Sequence, residues 1–358
     1  MSNHTPLHAE HLALGARMVD FGGWDMPVQY SGASAEHEAV RNGVGMFDVS
    51  HMGEVWLRGE QAVVAIDSLV TNSVAGLPNG KACYAGMLNQ EGGFIDDLIV
   101  YRFAEDEIFI CLNASNAAKD IAWMRQHLGD SVEVVDACAD FGQIAVQGPL
   151  AVELVAGLSS HDLAAMQPFE MAKVSLAGVE GVIAARTGYT GEDGFELYIP
   201  AGHTAELWRA LLKAGVTPCG LGARDSLRLE MKYALYGNDI DASTNPIEAG
   251  LGWVCKDKIK DFIGAEAVRQ MRAEKPKRKL VGLLLEGRRV ARSGSPVVND
   301  QGEAVGRITS GAFSPSLKKS IALAMVPIGL AKVDTQVGVD IRGRVHAAQV
   351  VKTPFYRV

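Results

Sequence analysis

The run Gly92-Gly93-Phe94-Ile95-Asp96-Asp97-Leu98-Ile99-Val100-Tyr101 constrains this chain more than any other. Glycine tolerates positive φ, so the pair at its head marks a tight turn. The aliphatic, β-branched and aromatic residues from Leu98 onward read as a buried strand. Between turn and strand stand two carboxylates. Neighbouring side chains of an extended chain point to opposite faces, so Asp96 and Asp97 cannot share one task. One faces inward, where a carboxylate needs a partner or a role. Taken alone, the stretch reads first as an Asx-type cap at a strand start, an order that the rest of the chain reverses.

The rest of the chain supports an enzyme fold around that turn. Its 358 residues exceed one core of ordinary size and predict two or three domains. A net charge of −8 argues against a nucleic-acid binder. The N-terminal Met1-Ser2-Asn3-His4-Thr5-Pro6-Leu7-His8 has neither a basic start nor an apolar run, and no apolar segment approaches bilayer length. A cytoplasmic protein without membrane contact is expected. The five cysteines are scattered, without metal-type spacing, and read as reduced core residues.

Strand-like runs at 81–89, 98–103 and 107–113 predict an antiparallel meander around the turn. Helices are expected from Ser34 to about Asn42, within Gly59–Val70, from Ser115 to about Leu128, over Ala151–Leu158 and over 203–214. The runs 181–186 and 194–199 form a hairpin whose loop is Thr187-Gly188-Tyr189-Thr190-Gly191-Glu192-Asp193. This alternation is α+β, not the regular βαβ of a dinucleotide fold. From Ser226 a helix follows Gly220-Leu221-Gly222-Ala223-Arg224-Asp225, and Arg224 and Arg228 share a face if it starts early. Pairing of these arginines with Asp225 or Glu230 is an equal reading. Beyond Lys275-Pro276-Lys277-Arg278-Lys279, short strands at 280–285, 304–309, 321–326, 337–341 and 347–352 predict a small β-barrel or sandwich.

No phosphate-loop register, Ser-His-Asp order or Cys-His pair stands out, and His51 reads as a structural histidine. The loops at Met52, Asp97, Tyr189, Glu196 and Arg224 combine carboxylates, aromatic groups and an arginine. A flat amino-heterocycle with a carboxylate tail suits such a set. Carboxylates accept its N–H groups, aromatics stack on it and the arginine holds the tail.

Met46-Phe47-Asp48-Val49-Ser50-His51-Met52, the stretch 92–101, Arg186 through Glu196 and Gly220 through Asp225 occur in an order that resembles the glycine cleavage T-protein family. Ile308-Thr309-Ser310-Gly311-Ala312-Phe313-Ser314-Pro315 and Pro354-Phe355-Tyr356-Arg357 carry the resemblance to the C-terminus. The resemblance implies a three-domain cloverleaf around a folate channel: 1–50 plus 140–245, then 51–139, then 246–358 with the barrel. It implies a tetrahydrofolate-dependent aminomethyltransferase, with a lipoylated H protein as partner and no metal or nucleotide. Asp97 matches the family's catalytic carboxylate, Glu196 the pterin-binding carboxylate and Arg224 an arginine near the folate. Met52, Tyr84, Asn113, Tyr189, Tyr233, Trp253 and Tyr356 match cavity walls, and Asp96 is structural. The alternative is a folate-binding relative, either an iron–sulfur assembly factor or a folate-dependent demethylase. The former carries a Lys-Gly-Cys-Tyr-x-Gly-Gln segment where this chain reads Gly252-Trp253-Val254-Cys255-Lys256-Asp257.

Overall fold

In the computed structural model, which describes residues 2–130, 132–258 and 261–357, the strands build two large sheets, a two-stranded ribbon of Arg17–Phe21 with Trp24–Gln29, and a barrel. The chain divides into two compact units. One comprises Met1–Leu69, Ser73–Ala85 and Leu98–Arg224, and the other Val70–Asn72, Gly86–Asp97 and Asp225–Val358.

The first unit is centred on a six-stranded sheet in the order Met171–Leu176, Val179–Ala185, Gly194–Pro200, Phe141–Gln147, Gly45–Asp48, Thr217–Pro218. Only its last pair is parallel. Two-residue periodicity gives the sheet two apolar faces. Val182, Ala184, Leu197 and Ile199 face the helices Ala151–Gly157 and Thr204–Lys213, packing with Val155, Leu207, Trp208 and Leu211. Ile183, Ala185 and Tyr198 face the other way, into a cluster with Trp56, Tyr101, Phe109 and Cys111. Those four residues come from the five-stranded sheet, ordered Lys81–Leu88, Phe94–Arg102, Glu107–Leu112, Gly53–Arg58, Glu133–Asp136. The expected meander and hairpin are both present, with Ile183 opposite Tyr198 in register.

In the second unit six strands close into a barrel: Arg278–Leu285, Lys319–Pro327, Ala304–Ser314, Pro296–Val298, Gln336–Ile341 and Arg344–Val351, the last pairing with the first. Val281, Leu283 and Leu285 point inward with Ile308, Ala322, Ala324, Val339 and Val350. The barrel, not the sandwich, is the outcome. Pro296–Val298 escapes the sequence pattern because three residues starting at a proline are too short to show alternation.

Helix boundaries shift from the sequence expectation. Ser34 lies inside the helix Ala33–Asn42, whose start is held by Glu36. That carboxylate accepts the backbone N–H groups of Tyr30 and Gly32 at 2.7 and 2.9 Å. The helix expected from Ser115 begins at Ala117 behind Asn116. Within Gly59–Val70 only Ala62–Asp67 is α-helical. The helix expected from Ser226 begins five residues earlier and spans Leu221–Glu230. Among the described residues no helix is long and apolar enough to cross a membrane. The five cysteines are free thiols; four are buried and Cys138 is partly exposed.

Candidate functional site

The hairpin loop after Ala185 is tied down at several points. Gln147, wholly buried, donates from Nε2 to the Thr187 carbonyl at 3.1 Å and accepts from Thr190 Oγ1 at 2.9 Å. A Cβ at Gly188 would lie 1.9 Å from Gln147 Oε1, so only glycine lets the loop close over that amide. Arg41 donates to the Thr190 carbonyl and to Glu192 at 2.9 and 2.7 Å, and Arg186 pairs with Asp193. A loop held this way presents Tyr189 in one place.

Glu196 sits on the strand that returns from this loop. Its direct neighbours on the two flanking strands are Ala185 and Ala145, whose methyl groups leave room beside the carboxylate. Thr187 donates its hydroxyl to Glu196 Oε2 at 2.6 Å and Gln143 donates Nε2–H to Oε1 at 3.4 Å. Behind them the Tyr101 and Tyr198 hydroxyls meet at 2.8 Å, and Cys111 Sγ lies 3.8 Å from Gln143 Oε1. Glu196 as a residue is partly exposed. Burial raises its pKa, and the Thr187 hydrogen bond and the Arg224 charge oppose the rise. Burial also lifts Tyr101, Tyr198 and Cys111 well above their usual values, so all three stay neutral.

The Arg224 guanidinium stacks over the Tyr189 ring, its carbon 4.7 Å from the ring centre. His51, read from sequence as structural, is buried in the same neighbourhood, and its Nδ1 has no hydrogen-bond partner among the described residues. Its pKa is pushed down to about 4, first by burial and then by the Arg224 charge, against a smaller pull from Asp48. Met52 packs against the aromatic cluster. Tyr84, in the strand Lys81–Leu88, and Asn113, just beyond Glu107–Leu112, are partly exposed.

The sequence missed Gln143, Cys111 and Glu54. A glutamine inside Phe141-Gly-Gln-Ile-Ala-Val-Gln147 was a readable signal, since a polar side chain in an apolar strand needs a partner. Glu54 is wholly buried, and neither carboxylate oxygen has a hydrogen-bond partner among the described residues. Burial and the Asp136 charge raise its pKa well above the ordinary carboxylate range.

Asp97, Tyr233, Trp253 and Tyr356 belong to the second unit. Asp96 is wholly buried and Asp97 partly exposed on successive positions of Phe94–Arg102, the alternation expected of an extended chain. The turn before them owes its glycines to two different causes. Gly92 has φ +79°, whereas Gly93 is needed because a Cβ there would lie 1.9 Å from the Ala242 carbonyl oxygen. Asn89 bridges the two sides, accepting from Gly93 N at 2.8 Å and donating to the Ala242 carbonyl at 3.0 Å. Tyr236 OH donates to the Phe94 carbonyl at 3.1 Å.

Arg228 follows the pairing reading. It is buried, donating to Asp239 at 2.7 Å, to Ser310 at 2.8 Å and to Asp225 at 2.8 Å. The segment Ile308–Pro315 supplies Thr309 and Ser310 to Asp239 and Ser314 to Glu230. The Glu230 carbonyl accepts the N–H groups of Phe355 and Tyr356 at 2.8 and 3.2 Å. These two sequence signatures are therefore anchors that place Tyr356, which is partly exposed. Tyr233 and Trp253 are exposed, Trp253 by 59%.

Residues 7–258 match the GCVT N-terminal domain and residues 278–357 the glycine cleavage T-protein C-terminal barrel domain. The chain is 48% identical over 364 residues to an aminomethyltransferase of Symbiobacterium thermophilum, covering 99% of this chain and 97% of that one. A Synechococcus aminomethyltransferase is 47% identical, with 99% of each covered. The crystal structure of the glycine cleavage system aminomethyltransferase T from Bartonella henselae superposes with a TM-score of 0.93 at 34% identity, over 99% of this chain and 98% of that one. The chain belongs to the glycine cleavage T-protein family of aminomethyltransferases.

Proposed function

We propose that this enzyme moves the one-carbon unit of an aminomethyl group, carried on the dihydrolipoyl arm of an H protein, to tetrahydrofolate. Ammonia, 5,10-methylenetetrahydrofolate and the dihydrolipoyl H protein leave as products. The observation that carries the reading is the Glu196 carboxylate, flanked by Ala145 and Ala185 with both oxygens fixed in direction. Two acceptors in one plane suit the adjacent amino and ring N–H donors of a pterin. The Arg224–Tyr189 stack supplies a planar cation for a carboxylate tail and an aromatic face beside it. Met52, Tyr84, Asn113, Tyr233, Trp253 and Tyr356 complete the walls of the folate site in this reading.

In the reaction two new carbon–nitrogen bonds to the folate replace the carbon–nitrogen bond to ammonia and the carbon–sulfur bond to the lipoyl arm. The two protons released from the folate nitrogens are taken up by the departing amine and by the thiolate. Asp97 is assigned to orient the attacking folate nitrogen toward the aminomethyl carbon and to promote that attack. Asp96, buried behind it, is structural. The cloverleaf division into 1–50 plus 140–245, 51–139 and 246–358 belongs to the same proposal.

The test is methylenetetrahydrofolate formation from aminomethyl-loaded H protein by wild type and Asp97→Asn, with tetrahydrofolate binding measured in parallel. Turnover by wild type, lost in the variant with binding retained, supports the reading. A folded wild type that binds folate and does not turn over overturns it and favours a folate-binding relative.

A further inference from the structure

We propose that Gln143 and Thr187 are positioning residues that fix the plane of the Glu196 carboxylate, so that the site selects a ligand with two adjacent N–H donors. The inference rests on the reading of Glu196 as the group that binds the heterocycle. Strand register is its foundation. Glu196 stands opposite Ala145 on one side and Ala185 on the other. Gln143 lies two residues from Ala145, and Thr187 two from Ala185, so each reaches Glu196 diagonally on the same face. One donor comes from each flank, Thr187 to Oε2 at 2.6 Å and Gln143 to Oε1 at 3.4 Å. A carboxylate oxygen has two lone-pair directions. Each protein donor occupies one and leaves the other for a ligand.

The direction of the Gln143 amide is itself determined. Cys111 lies with its Sγ 3.8 Å from Gln143 Oε1 and donates toward it, which turns Nε2 toward Glu196. The Gln143 backbone is clamped as well. Its carbonyl accepts from Val49 N at 2.9 Å and from Ser50 Oγ at 3.3 Å, and its N–H donates to Ser50 Oγ at 2.9 Å. Ser50 N in turn donates to Asp48 Oδ1 at 2.9 Å. The signature segment 46–52 therefore reaches Glu196 through Gln143, a link invisible in the linear sequence. Gln143 is wholly buried and Thr187 nearly so.

The same donors bear on protonation. Around Glu196 the titratable groups are Tyr101, Cys111 and Tyr198, all held neutral by burial, together with the permanent cation Arg224. Glu54 faces Cys111 and His51 faces Arg224; burial disfavours the charged form of each, raising the Glu54 pKa and lowering that of His51. Burial sets the Glu196 carboxyl above the ordinary carboxylate range, so an acid limb in ligand binding belongs to Glu196, and loss of a donor moves that limb upward.

The experiment measures tetrahydrofolate binding between about pH 5 and 8 for wild type, Thr187→Val, Thr187→Ser, Gln143→Met and Glu196→Gln, with thermal melts to confirm folding. Thr187→Val and Gln143→Met are expected to weaken binding about tenfold or more at pH 7 and to move the acid limb upward. Thr187→Ser restores both. A pterin with a 2-oxo group in place of the 2-amino group is rejected by wild type, and the two apolar variants discriminate against it less. If Glu196→Gln binds as wild type does, the parent reading fails. If Glu196→Gln loses binding while Thr187→Val and Gln143→Met keep wild-type affinity and acid limb, the positioning proposal alone is overturned. An unshifted limb combined with a uniform loss of melting temperature assigns the pair a structural role and also overturns it.

Discussion

The Asp239 carboxylate lies 2.7 Å from the Arg228 guanidinium, and both side chains are out of solvent. Asp239 also accepts the hydroxyls of Thr309 and Ser310, so the ion pair joins the end of the helix Leu221–Glu230 to the barrel strand Ala304–Ser314. Removing Asp239 takes the buried counter-charge from Arg228, which keeps its pair with the more exposed Asp225. Asp239→Asn is expected to cost about 3–5 kcal/mol in chemical denaturation. Pairing it with Arg228→Met is expected to recover part of that loss. A double variant less stable than either single one would contradict the picture.

Arg224 uses its flat face and Arg228 its donors. Arg224→Lys keeps the charge and loses the plane over Tyr189. It is expected to raise the KM for tetrahydrofolate by about tenfold, whereas Tyr189→Phe, which keeps the ring, stays near wild type. Steady-state kinetics with folate as the varied substrate checks this. Equal losses in the two variants would show that the Tyr189 hydroxyl, not its ring, matters.

Glu54 gives the stability a pH dependence of known sign. Its pKa in the native state is raised by burial, so above the ordinary carboxylate range the unfolded chain releases a proton that the native protein keeps. Stability therefore falls as pH rises through that window. Glu54→Gln, which resembles the protonated acid, is expected to increase the melting temperature more at pH 8 than at pH 5. A gain equal at both pH values would show that Glu54 is ionised in the native state.

His51 works on the acid side. The unfolded histidine takes up a proton near 6.5 and the native one only near about 4. Stability is therefore lost as pH falls between these values, with a slope approaching ~1.4 kcal/mol per pH unit. His51→Asn is expected to flatten the denaturation midpoint over that window. In Arg224→Met the imidazole pKa, followed by NMR, should rise because the second cause of its depression is gone. An unchanged imidazole pKa in that variant would remove Arg224 as a cause.

Local chemistry determined a good deal of this protein before any coordinates. Short apolar runs separated by turn residues exposed the meander, the hairpin and five of the six barrel strands, because a strand buried on both faces is written as a local apolar run. The adjacent carboxylates at 96 and 97 could be assigned opposite faces because neighbouring side chains of a strand alternate, and Asp96 is indeed the buried one. The signature segments identified the family because they are contiguous. Only the tertiary structure decided what those segments are for. Ile308–Pro315 and Pro354–Arg357 are anchors for Asp239 and Glu230, and Gly93 is a glycine because a carbonyl from residue 242 approaches it. Gln143, Thr187 and Glu196 are separated by up to 53 residues and meet only through strand register. Contacts of that kind depend on which strands become neighbours, and strand order is chosen by the packing of the whole sheet, not by any stretch within it.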